Sequence, residues 1–213
     1  SFMYGHPLPR TATGHVDTGL GKGPPAGGTV SIREPTVIVD RTPQELEIDG
    51  VRFVFQYTPE SEAPAELAFY LPDLKAWCGA EIVSHTMHNL YTLRGAKVRN
   101  AVKWARYIDD ATRRFPDMEV VFASHHWPVW GNARALEYLR AQRDAYRYVH
   151  DQTMRHANHG LTPLEIAELV ELPDEYRHEA HTTGYYGHLA HNVKAVYQRY
   201  LSWYDGNPAN LWK

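Results

Sequence analysis

The 213-residue chain holds one cysteine, Cys78, so no internal disulfide framework staples it. It has no run of the roughly 18 apolar residues that a membrane-spanning helix needs. Neither charge dominates. Lys and Arg number 22 against 25 Asp and Glu, and the formal charge of -3 argues against broad electrostatic binding of nucleic acid. Internal repeats and low-complexity tracts are absent. A charged-then-apolar leader is also missing from the start, "SFMYGHPLP", and the end reads "DGNPANLWK". Two expectations follow from these ends, a processed mature protein or a segment of a longer polypeptide.

What is present is an ordinary globular composition, 43% hydrophobic and 22% charged, in a chain long enough to bury a core. Histidine, with 13 residues, stands out. Several histidines fall in tight pairs: His85/His88, His125/His126 and His188/His191.

Residues 1 to about 28 are rich in Gly and Pro and read as irregular loop. "TVSIREPTVIV" is β-branched and reads as a strand. "LEIDGVRFVFQYTP" alternates around Asp49-Gly50, which predicts a hairpin. "AELAFYLPD" and "LKAWCGAEIV" predict two more strands with a turn at Pro72-Asp73. Asn100 is placed to cap a helix whose apolar positions are Ala101, Trp104, Ala105, Ile108 and Phe115, ended by Pro116. "MEVVFASHH" predicts a short buried strand that delivers two histidines. Asn132 is the expected cap of a long helix closed by Gly160. "TPLEIAELVEL" carries a full start signal: Thr162 as cap, Pro163 in the first turn, Glu165 three residues after the cap. A last helix is expected over "NVKAVYQRYLSWYDG", with Val193, Val196, Tyr197, Tyr200, Leu201 and Tyr204 on one side. The order is strands with helices, then almost pure helix.

Four stretches carry groups capable of chemistry. In "TPESEAPAEL", Glu60, Glu62 and Glu66 crowd one turn. Glu81 stands at the end of a predicted strand and His125 at the end of another. Two carboxylates and an imidazole on loops held by a sheet suit Zn²⁺ or a similar divalent ion. A solvated acidic loop fits the same spacing. "ASHHWPVWG" needs an exposed imidazole at a sharp turn, or merely an aromatic wedge there. "AEIVSHTMHNLYTLRGAKVR" lines up Asn89, Arg94 and Arg99, whose planar donor forks and amide match a sulfate or phosphate. An exposed helix with basic residues near its C-terminus reads equally well. "GYYGHLAHN" sets His188 and His191 beside tyrosines at a helix start, where one imidazole can donate a proton to a leaving oxygen. Core packing is the alternative there.

Taken in this order, "TPESEAPAEL", "AEIVSHTMHNLYTLRGAKVR", "HHWPVWG" and "GYYGHLAHNVKAVYQRYLSWYDGNPANL" resemble the linear alkylsulfatases, also called type III sulfatases. The resemblance implies an α/β fold: the C-terminal half of a metallo-β-lactamase-like αββα sandwich over residues 1–150. It implies the first α-helices of a dimerisation arm over 151–213. It implies a binuclear zinc site, with Glu62, Glu81 and a His of "HHWP" as ligands, assigned to His125 with His126 beside it. Asn89, Arg94 and Arg99 match the family's sulfate-holding residues, and His191 matches its candidate general acid.

The implied reaction is zinc-dependent hydrolysis of an alkyl sulfate ester such as dodecyl sulfate, to alcohol and sulfate. A hydroxide whose pKa two metals have lowered is the implied nucleophile. The implied partner is a second copy, forming a homodimer, or the missing N-terminal segment. The implied compartment is the bacterial periplasm or the exterior. One family feature is absent. The "HxHxDH" signature that supplies most ligands of both metals has no counterpart, since "GHVDTG" lacks both the repeat and the final His. Two alternatives stay open: another metallo-β-lactamase-fold hydrolase acting on a phosphodiester or other ester, and a non-catalytic piece without a full metal site.

Overall fold

A computed structural model describes residues 9, 11–14, 31–92, 96–177 and 179–211. They divide into two compact units: Ser1–Ile38 with Tyr91–Lys97, and Val39–Leu90 with Val98–Lys213. Described residues of the first unit are turns and irregular chain. Most of the Gly/Pro-rich start lies outside the described residues. The strand expected at "TVSIREPTVIV" does not form over 31–39. Pro35 removes a ladder donor mid-segment, and Ile32, Val37 and Ile38 stand exposed.

The second unit is built on one mixed six-stranded sheet in the order β1 to β6. Strands β1 (Gln44–Ile48) and β2 (Val51–Tyr57) form the expected hairpin. Asp49 and Gly50 both take positive φ, 51° and 78°, as a two-residue turn between twisted strands requires. β3 (Leu67–Leu71) and β4 (Ala76–Cys78) continue the antiparallel run, joined by a 3₁₀ turn at Pro72–Leu74. β4 then pairs in parallel with β5 (Val120–Phe122), which needs a crossover. Helix α1 (Ala101–Arg114) supplies it, capped by Asn100, whose side chain accepts from the Lys103 N–H. β6 (Val129–Trp130) closes the sheet antiparallel to β5.

The remaining elements are helices. α2 (Asn132–Asn158) packs along α1. α3 (Pro163–Leu169) starts with the expected capping box of Thr162 and Glu165. α4 (Asp174–Arg177) is one turn, and α5 (Leu189–Leu201) packs on α2 and α3. Residue 150, read from the sequence as the last of the α/β layer, falls inside α2, which runs through it unbroken.

Two local expectations differ. Asn132 is not the cap of α2 but its first residue. Its amide instead donates to the carbonyls of Pro116 and Met118, 2.8 Å each, tying the helix start to the turn before β5. α5 begins three residues earlier than the pattern suggested and ends at Leu201, because Ser202 turns into the left-handed region at φ 71°. Val193 and Val196 are buried, but Tyr200 and Leu201 are exposed.

Alternation along the strands gives the sheet two apolar faces. Gln56, Ala68, Tyr70, Trp77 and Val121 are buried on the helix side. There Gln56 donates to the Tyr107 carbonyl on α1, and Tyr70 stacks on Phe115 at 4.4 Å. On the other face Phe53, Phe55, Phe69 and Phe122 form a half-buried ring cluster with centroids 5.4–6.1 Å apart.

Candidate metal and anion site

The three glutamates of the β2–β3 turn go to different places. Glu60 turns outward to Lys103 and Arg199, 2.9 Å from each, a partly exposed ion-pair pair-up between the turn, α1 and α5. Glu66 is pulled up above the ordinary carboxylate range, first by burial and then by the neighbouring Glu81 carboxylate. Glu62 points to Glu81 and His88, and ligand atoms of these three all lie within 4.8 Å of one another.

Glu81 arrives there because β4 is cut short. A Cβ on Gly79 would meet the Val83 and Trp77 side chains at 2.5 and 2.7 Å, and Ala80 takes φ 47°. The chain therefore leaves the sheet two residues before Glu81, in a conformation that costs a non-glycine residue energy. Glu81 sits between two imidazoles. One carboxylate oxygen is 3.1 Å from His125 Nε2, the other 3.8 Å from His88 Nε2. His125 is thus attached to the cluster through Glu81, and it is largely exposed, whereas His88 is buried. His126 also sits at positive φ, 67°. Burial first, then His85 and His125, hold its imidazole below the ordinary value, favouring the neutral form. His85 goes elsewhere: it contacts the Trp127 carbonyl at 2.8 Å and stacks on Tyr138.

Arg99 joins this cluster to Asn89. Its Nε donates to the Glu62 carbonyl at 2.7 Å, and one terminal nitrogen reaches the Glu62 carboxylate. The other donates to the Asn89 carbonyl at 2.8 Å and to the Asn89 side-chain oxygen. The guanidinium is buried, and burial pushes its pKa down from the ordinary value. Of the three expected anion holders, then, Asn89 and Arg99 meet at one place, while Arg94 lies outside the described residues. His191 stands half-buried in the first turn of α5. His188 is exposed at the position before that helix.

Sequence reasoning passed over four residues that build this site. In the sequence His88 stands out only as one imidazole of a pair, and its proximity to Asn89 in "HTMHN" is the available signal. Tyr146, Gly187 and Asn192 hold the segment around it. The Tyr146 hydroxyl accepts from the His88 N–H at 3.0 Å. Asn192 bonds both His88 and Leu90 backbones. Gly187 approaches so closely that a Cβ would lie 2.4 Å from the His88 carbonyl carbon and oxygen. Nothing in linear spacing announces contacts about a hundred residues apart.

As a donor set, two carboxylates and a buried imidazole suit a divalent cation of the zinc kind. A guanidinium and an amide side by side suit a tetrahedral oxyanion. The chain is similar to known proteins along its whole length. Residues 162–213 match the alkyl sulfatase dimerisation family. The chain is 49% identical over 211 residues to an alkyl/aryl-sulfatase, BDS1, of Saccharomyces cerevisiae, covering 99% of this chain and 32% of that one. It is 48% identical over 214 residues to a linear primary-alkylsulfatase of a Pseudomonas species, covering 100% and 32%. Among solved structures, it superposes on the stereoselective inverting sec-alkylsulfatase Pisa1 from Pseudomonas sp. with a TM-score of 0.84 at 42% identity, covering 99% of this chain and 33% of that one. The chain spans about a third of the length of each of these relatives.

Proposed function

We propose that this chain, homologous from end to end to about a third of the alkylsulfatases, carries the anion-holding part and some of the metal ligands of a metal-dependent sulfate-ester hydrolase. The observation that carries this reading is Arg99. It bonds the Glu62 carboxylate on one side and Asn89 on the other, making the cation cluster and the oxyanion donors one connected site.

Glu62, Glu81 and His88, with His125 beside them, are the groups that would hold the cation. When bound, a divalent ion such as Zn²⁺ supplies Lewis acidity and makes water a stronger nucleophile near neutral pH. Asn89 and Arg99 bind the sulfate group, with Arg94 added on the strength of its motif. They offset the charge that develops on sulfate oxygens as the ester bond breaks. His191, as general acid, gives its proton to the leaving alcohol oxygen. Asn192, next to it, is anchored to His88 and Leu90, so the helix turn that carries His191 is fixed against the anion-binding segment. Residues 162–213 further support a homodimer.

The test is turnover in the full-length polypeptide supplied with Zn²⁺. Dodecyl sulfate should be hydrolysed, with sulfate release measured directly, and a phosphate diester should be a poor substrate. No sulfate release would overturn the reading, and faster diester cleavage would move the site to phosphodiesters.

A further inference from the structure

The segment Met87 to Leu90 belongs to no helix and to no strand of the sheet, yet its backbone is satisfied almost entirely by groups from distant elements. Met87 donates to the Thr183 carbonyl at 2.9 Å and accepts from the Gly187 N–H at 2.8 Å. The His88 N–H donates to the Tyr146 hydroxyl of α2. The His88 carbonyl accepts from Asn192 Nδ2 at 2.9 Å, and the Leu90 N–H donates to Asn192 Oδ1 at 2.8 Å. One carboxamide on α5 therefore clamps the two peptide groups that flank Asn89. Asn192 is fully buried, so its amide cannot exchange these bonds for water.

We infer that Asn192 is a positioning residue for the site, setting the direction of the Asn89 amide and the His88 ring through their shared backbone. The inference rests on the sulfate-site reading for the work assigned to Asn89, but not for the work assigned to His88. It gives the region matching the dimerisation family a second duty: α5 forms a wall of the site as well as whatever contact it makes with another subunit. The geometry is specific. Asn supplies one acceptor and one donor on a short stem, which is what an N–H and a carbonyl two residues apart require. Without the clamp, each of the two peptide groups that flank Asn89 loses one buried hydrogen bond, and the Asn89 and His88 side chains gain freedom.

The experiment compares Asn192→Ala, Asn192→Asp and Tyr146→Phe with a control, Thr153→Val, in the full-length protein. Thr153 is buried and, among the described residues, its hydroxyl bonds the Val149 carbonyl within α2, so its loss is structural. Three readouts are taken: Tm, Zn²⁺ affinity by chelator competition, and KM against kcat for dodecyl sulfate. Asn192→Ala should weaken Zn²⁺ affinity and raise KM by about tenfold each, the range seen when groups that orient ligands are lost. Asn192→Asp keeps the acceptor for Leu90 and should fall between. Tyr146→Phe keeps ring packing and should shift the same two quantities less; it decides the matter if Asn192→Ala does not fold. Thr153→Val should lower Tm and leave both unchanged. If Asn192 variants lower Tm while Zn²⁺ affinity and KM match the wild type, the positioning role is overturned. If the wild type hydrolyses no sulfate ester, the functional reading falls alone. The clamp is then judged by Zn²⁺ affinity, and no change on Asn192→Ala overturns it.

Discussion

At the scale of single residues, the site separates groups that share a composition but not a task. Glu60, Glu62 and Glu66 lie within seven positions, and only Glu62 reaches the cluster with Glu81 and His88. Removing charge from a proposed ligand should therefore act differently from removing it nearby. Glu81→Gln is expected to lower Zn²⁺ affinity by at least about 100-fold, beyond the effect of losing an outer partner. Glu60→Gln should leave it unchanged, with both followed by chelator competition. Gly187→Ala tests the close approach to His88. Its methyl group would overlap the His88 carbonyl, so about 1–3 kcal/mol of stability should be lost on thermal unfolding, as for an overpacked core position. Metal affinity should fall with it, because the displaced peptide carries His88, one of the proposed ligands.

At the scale of elements, α3 is a short helix whose start is secured by two reciprocal bonds. Thr162→Ala should cost about 1 kcal/mol in chemical denaturation, the usual value for a lost N-cap. The partner of that cap titrates. Hydrogen bonds from the Thr162 backbone and then its hydroxyl hold the Glu165 carboxyl below the ordinary carboxylate value. A depressed acid stabilises the fold fully above its unfolded pKa and loses that contribution as pH falls through the folded one. Carbon chemical shifts of α3 should accordingly report fraying in acid in the wild type, and Glu165→Gln should abolish that pH dependence. These starts were legible in the chain, as were the β1–β2 hairpin and the apolar stripe of α1. Each is decided within one turn by residues adjacent in sequence. The strand expected over 31–39 failed for a complementary reason: β-branched residues favour extension but need a partner, and Pro35 weakens the ladder.

At the scale of the whole molecule, the sheet of the second unit has apolar side chains on both faces, with α1 and α2 covering one. Phe53, Phe55 and Phe69 on the other are half-buried among the described residues. An apolar patch of this kind binds hydrophobic dyes and self-associates. The 213-residue chain alone should enhance the fluorescence of an anilinonaphthalene sulfonate dye. Phe53→Ser with Phe69→Ser should reduce that signal and leave Zn²⁺ affinity as it was, since both rings pack on other phenylalanines and neither is among the candidate ligands. Equal dye binding by the double variant would remove this face as the source.

Linear patterning was enough to set the class of the protein: an α/β chain with a carboxylate–imidazole set, a basic stretch suited to an anion and family motifs from one end to the other. Capping, turn and alternation signals act over a few residues, so they survive being read in one dimension. Which imidazole joins Glu62 and Glu81, and what holds it, was decided only by packing. His88 enters the cluster because β4 stops early at Gly79 and Ala80, and because Asn192 and Tyr146, 104 and 58 positions away, fold back onto its backbone. A backbone segment without a sheet of its own takes its direction from whatever buried donors and acceptors reach it, and those are brought there only when the helices close.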